Sequence, residues 1–293
     1  MKFKFVEPEV LGLGIVAFRG AIEADWDFLM DQSWITANGE RDLAYTPTVM
    51  PDTGEEAFIN KSGFYYAKNN IDRMPRRATI LHTLENKDLA TQLDFLEESR
   101  DKCLMQYMEI YPHAYKTVWW KIKGHVVIYT PGTHLGPHSD IGSEFIYGVS
   151  TPSDQLHTRT VITAIIYLND MSDRDTDATF SGGEHVFNYS NLTYQPKAGD
   201  VLLFPTTYTA THEVMPVNRG RRFSYLGWYC QGTPNPEVKE YVHHPSEIRR
   251  ENNCTNVYMP NFRSDYLDFL RSRGHDKTSE ALRVVERLAY LDE

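Results

Sequence analysis

Apolar positions recur at three- and four-residue steps through Leu84 to Tyr111, where Leu89, Leu93, Leu96, Leu104 and Met108 fall on one face. That spacing predicts an amphipathic helix packed by a single stripe against a core. A shorter helix is expected over Ile22 to Gln32. Asn38 to Arg77, between them, is rich in Gly, Pro, Asn and Asp and reads as loops. The texture changes near Tyr115. Short β-branched and aromatic runs separated by turn residues follow: His125–Thr130, Thr160–Leu168, Glu184–Tyr189, Asp200–Phe204, Thr211–Val217 and Arg221–Tyr229. Strands of this length and spacing predict a sandwich or jelly roll. Val161, Thr163, Ile165 and Tyr167 are then expected to share one strand face. Asp170 to Gly183 reads as an acidic turn segment. After about Gly232 the chain is irregular, then offers helices over Asn261–Gly274 and Asp276–Leu291, the second capped by Asp276 or Thr278. The expected organisation is one domain over 1–293: a mixed, partly helical elaboration at 1–115, a strand-rich core at 116–232 and a helical extension at 233–293.

Composition narrows the partners. A chain of 293 residues can bury a substantial core, and 13% aromatic content makes an aromatic-lined cleft easy to build. The formal charge of −10 argues against nucleic acid, because phosphate binding needs a basic face, and it suits an anionic membrane surface poorly. No apolar run is long enough to cross a bilayer, and Met1 to Leu13 lacks the continuous apolar stretch of a secretory signal. The three cysteines, Cys103, Cys230 and Cys254, have no metal-ligand spacing. Free thiols in a reducing cytoplasm are expected, and the sequons at Asn188, Asn191 and Asn253 are then chance matches. A small-molecule or peptide substrate is the partner left standing. Nothing in the chain signals its oligomeric state or the identity of that substrate.

Several residue patterns carry chemistry. Gly12-Leu-Gly14-Ile-Val-Ala17 matches part of a dinucleotide fingerprint, but no helix follows it, and a strand or turn is the better reading. His134 and the pair His243-His244 read as surface residues. In His138-Ser139-Asp140 the imidazole and carboxylate stand two residues apart, so on a strand both point to one side. A lone His-x-Asp is weak, but His212 follows at the head of HEVMPVNRGRRFSYLGWY. Two neutral imidazoles and a carboxylate on one face of an octahedral Fe(II) leave three positions open, enough for a bidentate co-substrate and O₂. Arg222 and Ser224 again share a strand face. An arginine turned into a barrel needs an anionic partner, which a dicarboxylate co-substrate would supply through a bidentate pair.

The ordered series is similar to the prolyl-hydroxylase-like branch of the Fe(II)/2-oxoglutarate-dependent oxygenases. It runs from Tyr129-Thr-Pro-Gly132 to His138-Ser-Asp140, through Ile166-Tyr167-Leu168-Asn169, Gly182-Gly183-Glu184 and Phe187. It continues through Pro196-Lys-Ala-Gly199-Asp200 and Phe204 to His212-Glu-Val-Met-Pro216, Arg222 and Trp228-Tyr229. The match covers about residues 116–232. It implies a mainly β fold with flanking helices, the double-stranded β-helix or jelly roll, and a hydroxylase using Fe(II), 2-oxoglutarate and O₂. It makes His138, Asp140 and His212 the metal ligands and places Arg222 on the C5 carboxylate of 2-oxoglutarate, with Tyr167 donating its hydroxyl there. Tyr129 would lie near co-substrate or substrate, Ser224 beside Arg222, and Trp228 in the pocket wall. Many collagen-type relatives carry Lys where this chain has Arg222, which weakens any expectation of a collagen-like substrate. The neighbouring Arg221 leaves that position ambiguous by one residue. Residues 38–77, with Phe58, Phe64, Tyr65 and Tyr66, are expected to form a lid. Two other classes stay open at this point: a cupin-like metalloenzyme without 2-oxoglutarate, and a jelly-roll binding module without catalysis.

Overall fold

A computed structural model of the protein describes residues 1–60, 65–78, 87–141, 159–174, 178–231, 256–259 and 261–289. Its centre is a large, mostly antiparallel sheet. The order across it is Glu9–Gly12, Ile15–Phe18, Val201–Pro205, Thr160–Tyr167, Arg222–Gln231, Val118–Tyr129 and Asn256–Tyr258, with Arg76–Ala78 also paired to Val118–Tyr129. A smaller antiparallel sheet runs Leu135–His138, His212–Val214, His185–Phe187, Leu192–Tyr194. Alternation along each strand sends successive side chains to opposite faces. Ile162, Ala164, Ile166, Phe223, Tyr225 and Tyr229 point to one side of the large sheet, into a core shared with Leu89, Leu93, Leu96, Leu104 and Met108. Ile165, Tyr167, Leu202 and Phe204 point to the other side and meet Phe187 and Tyr194 of the small sheet. Helix outside and second sheet inside give the expected double-stranded β-helix.

The helix read from the apolar stripe spans Lys87–Ile110, inside the predicted Leu84–Tyr111. Its charged centre was not predicted. Glu97 and Arg100 are buried within the stripe and ion-paired to each other at 2.9 Å. Glu97 also accepts hydrogen bonds from the Gly124 backbone N–H (2.9 Å) and the Tyr225 hydroxyl (2.8 Å). Arg100 donates to the Ile122 carbonyl. It reaches that carbonyl because residue 227 is glycine: a Cβ there would stand 1.8 Å from Arg100 Nη1.

Other expectations are corrected by local chemistry. Ile22–Glu23 is a short strand paired with Lys2–Phe3, and the helix begins later and runs Trp26–Ala44. The stretch taken as loops holds the end of that helix and a three-stranded antiparallel sheet, Tyr45–Val49, Glu56–Asn60 and Tyr65–Ala67. A short helix, Lys68–Arg73, follows it. Turn-rich composition marked the bends between these strands and masked the strands themselves. The strand expected at His125–Thr130 begins at Val118, so the two tryptophans and the lysines before Gly124 belong to it. The segment Thr211–Val217 is two strands, His212–Val214 and Val217–Arg219, broken at Pro216, which has no N–H to give to a ladder. Val161 leaves the face of Thr163 at a register shift and packs toward the helical core. The last helices are Phe262–Ser272 and Glu280–Ala289; Ser279, whose hydroxyl accepts the Leu282 N–H, caps the second in place of Asp276 or Thr278. Gly12 ends one strand and Gly14 turns into the next, so the partial dinucleotide motif is a hairpin. His243, His244, Phe64 and Cys254 lie outside the described residues.

Candidate metal and co-substrate site

His138 ends the small sheet's edge strand, and Asp140 follows in the bend beyond it, so the pair converges through a turn rather than through strand alternation. His212 opens the neighbouring strand, directly opposite His138 in the register. The three side chains place one ligand atom each within 4.8 Å of one another. His138 Nε2 lies 3.5 Å from Asp140 Oδ1, and His212 Nε2 lies 3.9 Å from Oδ2. Each imidazole has its other nitrogen tied down: His138 Nδ1 to the Gly136 carbonyl at 2.8 Å, His212 Nδ1 to the Ala210 carbonyl at 3.0 Å. A carbonyl only accepts, so Nδ1 carries the proton and Nε2 offers its lone pair inward, the arrangement metal-bound histidines adopt. Thr163, on the inner face of the large sheet, donates its hydroxyl to Asp140 Oδ2 and orients the carboxylate. Burial pushes the Asp140 carboxyl up, but His138, His212 and Thr163 outweigh it and hold the pKa at about 2. Burial lowers the pKa of His138, yet its contact with Asp140 leaves it raised; the deeper His212 is left lowered by burial. The donor set is borderline-hard N₂O on one face, which fits a divalent iron.

Further into the barrel, Arg222 is 1% exposed. Its guanidinium lies over the Tyr129 ring at 5.0 Å and the Tyr167 ring at 5.3 Å. Nη1 reaches the Ser224 hydroxyl at 3.4 Å, while Nε and Nη2 have no hydrogen-bond partner, and no carboxylate among the described residues pairs with it. Unpaired buried charge is costly, and a bound dicarboxylate would satisfy it. The ambiguity with Arg221 is resolved by Asn169. Its amide donates to the Arg221 carbonyl at 2.7 Å, and its oxygen accepts the Phe223 N–H at 3.0 Å. This two-point clamp holds the backbone on both sides of Arg222. Arg221 instead stacks on Trp34 of the first helix at 4.5 Å.

Tyr129 pairs opposite Arg222, and Trp228 opposite Thr163, with Trp228 in a cluster of Trp120, Ile122 and Cys230. Two histidines escaped the sequence reading. His125, buried with neither ring nitrogen hydrogen-bonded, sits 5.8 Å from the Trp228 ring, and burial with the Arg77 charge lowers its pKa to about 3. His185 follows the Gly182-Gly183 turn, whose positive φ values only glycine adopts freely. Its ring stacks on His212 at 4.8 Å, and its Nδ1 lies 3.1 Å from the Tyr167 hydroxyl. Only the alternation after the glycine turn could have pointed inward for His185; nothing local marked it as part of the site.

Residues 124–230 match the family model of the 2OG-Fe(II) oxygenase superfamily. The chain is 30% identical over 121 residues to a PKHD-type hydroxylase of Sphingopyxis alaskensis, covering 41% of this chain and 49% of the relative. It thus spans about half the length of the curated relative it matches. Among solved structures it is similar to a Pseudomonas putida prolyl-4-hydroxylase (16% identity, TM-score 0.41, 75% of this chain and 94% of that one). It is also similar to a Trichoplax adhaerens prolyl hydroxylase in complex with a hypoxia inducible factor oxygen degradation domain peptide fragment (14% identity, TM-score 0.46, 79% and 88%). No helix among the described residues is long and apolar enough to cross a membrane.

Proposed function

We propose that the protein is an Fe(II)- and 2-oxoglutarate-dependent dioxygenase that hydroxylates an unactivated C–H bond of an amino-acid unit, free or within a peptide, with proline the first choice. The observation that carries the reading is Arg222: a buried guanidinium with two unsatisfied nitrogens, set inside the same barrel as the His138–Asp140–His212 cluster. A cupin-like metalloenzyme or a plain binding module leaves that arginine without purpose.

When bound, iron and 2-oxoglutarate supply the oxidation: O₂ delivers one oxygen atom to the substrate C–H and one to succinate, with release of CO₂. The chain's own part is placement. His138, Asp140 and His212 would hold the metal, and the Gly136 and Ala210 carbonyls and the Thr163 hydroxyl fix those side chains. Arg222, with Ser224 beside it and Tyr129 and Tyr167 against its faces, anchors the co-substrate's far carboxylate. Phe187 and Phe204 pack against His212, in one apolar cluster with Ile165 and Leu202, and would keep water from that side of the site. The net charge of −10 suits a small or peptide substrate better than nucleic acid. The buried free thiol of Cys103 suits a cytoplasmic setting.

The test is spectroscopic. Anaerobic Fe(II) followed by 2-oxoglutarate should develop the weak visible charge-transfer band of the chelate, and Asp140→Ala should abolish both band and turnover. An Asp140→Ala protein with wild-type activity overturns the ligand assignment.

A further inference from the structure

We propose that His185 is a further binding residue for the co-substrate, donating a hydrogen bond from Nε2 to the carboxylate held by Arg222. The inference rests on the oxygenase reading above and adds a group to it.

The argument runs through one proton. The Arg222 guanidinium can only donate, and it lies against Tyr167, where its charge favours the oxygen's lone pairs. The phenol proton is therefore directed away from Arg222, toward His185 Nδ1 at 3.1 Å. An imidazole whose Nδ1 accepts carries its hydrogen on Nε2. That Nε2 is buried and has no hydrogen-bond partner, in a side chain 1% exposed. Rotation offers no escape, because the ring is held by Phe187 at 4.9 Å, Phe204 at 5.6 Å and His212 at 4.8 Å. Arg222 Nε, Arg222 Nη2 and His185 Nε2 are thus buried donors with no hydrogen-bond partner among the described residues. A carboxylate offers about four lone-pair positions on two oxygens, enough for all three. Tyr167 then acts as a positioning residue, setting the tautomer of His185 rather than spending its own proton on the ligand.

The experiment uses full-length protein loaded with Mn(II), which binds co-substrate without turnover. Calorimetry gives Kd for 2-oxoglutarate and for 2-oxopentanoate, which has the same chelating end and no far carboxylate. His185→Phe keeps the ring stack and loses the donor. For 2-oxoglutarate its Kd should rise roughly tenfold to hundredfold, the loss expected for a hydrogen bond to a charged group. Its Kd for 2-oxopentanoate and for Mn(II) should stay at the wild-type values. Equal Kd for 2-oxoglutarate in variant and wild type overturns the inference, and so does an equal weakening of both keto acids, which would mark a packing effect. A wild-type protein that does not bind 2-oxoglutarate overturns the oxygenase reading itself. Should His185→Phe fail to fold, ¹⁵N NMR of the imidazoles in unaltered, Zn(II)-loaded protein decides. The His185 signal should be the Nε2–H tautomer and should shift when 2-oxoglutarate is added; an Nδ1–H tautomer, or no shift, overturns the inference.

Discussion

At the scale of single residues, charge placement decides function. On the proposed reading, removing Arg222 leaves the co-substrate's carboxylate facing a buried pocket without its counter-charge, a loss on the order of 2–5 kcal/mol. Arg222→Ala should therefore raise the apparent KM for 2-oxoglutarate by roughly 30-fold to several-thousand-fold, with Fe(II) affinity little changed. Arg222→Lys should fall between, keeping the charge and losing the planar fork. Arg221→Ala is the control: its guanidinium stacks on Trp34, outside the barrel, so KM for 2-oxoglutarate should barely move. Steady-state kinetics on the three variants checks all of this, and a damaging Arg221→Ala with a harmless Arg222→Ala would refute the placement. That His138, Asp140 and His212 come together and that an arginine at 221 or 222 turns inward was legible in the sequence, because their spacing and residue types are rare in combination. Which arginine faces inward was not, since two identical neighbours look alike to any pattern; the Asn169 clamp settles it. His125 and His185 were illegible for another reason. A histidine inside a strand looks the same whether its ring meets solvent, a core or a ligand.

At the scale of elements, the long helix and the large sheet are joined by charge as well as by apolar contact. The periodicity of Lys87–Ile110 disclosed its apolar stripe but not the charged pair, Glu97 and Arg100, buried within it. Their pairing depends on Gly227, across the sheet, which no helix pattern can report. Gly227→Ala must displace the Arg100 guanidinium, and breaking a buried pair this way costs about 3–5 kcal/mol. Denaturant unfolding should show that loss as a lower midpoint with an unchanged slope. A Gly227→Ala protein as stable as the wild type would mean that Arg100 has room to move aside. The sheet of Tyr45–Val49, Glu56–Asn60 and Tyr65–Ala67 replaces the expected lid loop. If it closes over substrate, Phe58→Ala should slow hydroxylation more than uncoupled 2-oxoglutarate decay, and equal slowing of both would mark it as scaffold.

At the scale of the whole molecule, a loss of stability in acid follows from the same buried pair. Burial raises the Glu97 pKa, but Arg100, Lys121, the Gly124 N–H and the Tyr225 hydroxyl outweigh it and hold the group at about 2, against an ordinary value of 4.5. A depressed folded-state value gives stability that is present above about pH 4.5 and lost as pH falls toward 2, on the order of 3 kcal/mol in all. Unfolding followed from pH 6 to pH 2.5 should show that decline, and Glu97→Gln should flatten it. The strand Arg222–Gln231 carries a wider consequence. Arg222 and Ser224 alternate with Phe223, Tyr225 and Tyr229, so ligand wall and structural core are two faces of one ribbon, hydrogen-bonded on both edges. Amide protons of Phe223 to Tyr229 should therefore exchange with solvent deuterium only through global opening, while those of the edge strand Leu135–His138 exchange sooner through local fraying. On the proposed reading, the co-substrate end of the pocket then has no private way to come apart, and the edge carrying His138 is where the grip on a metal would loosen first.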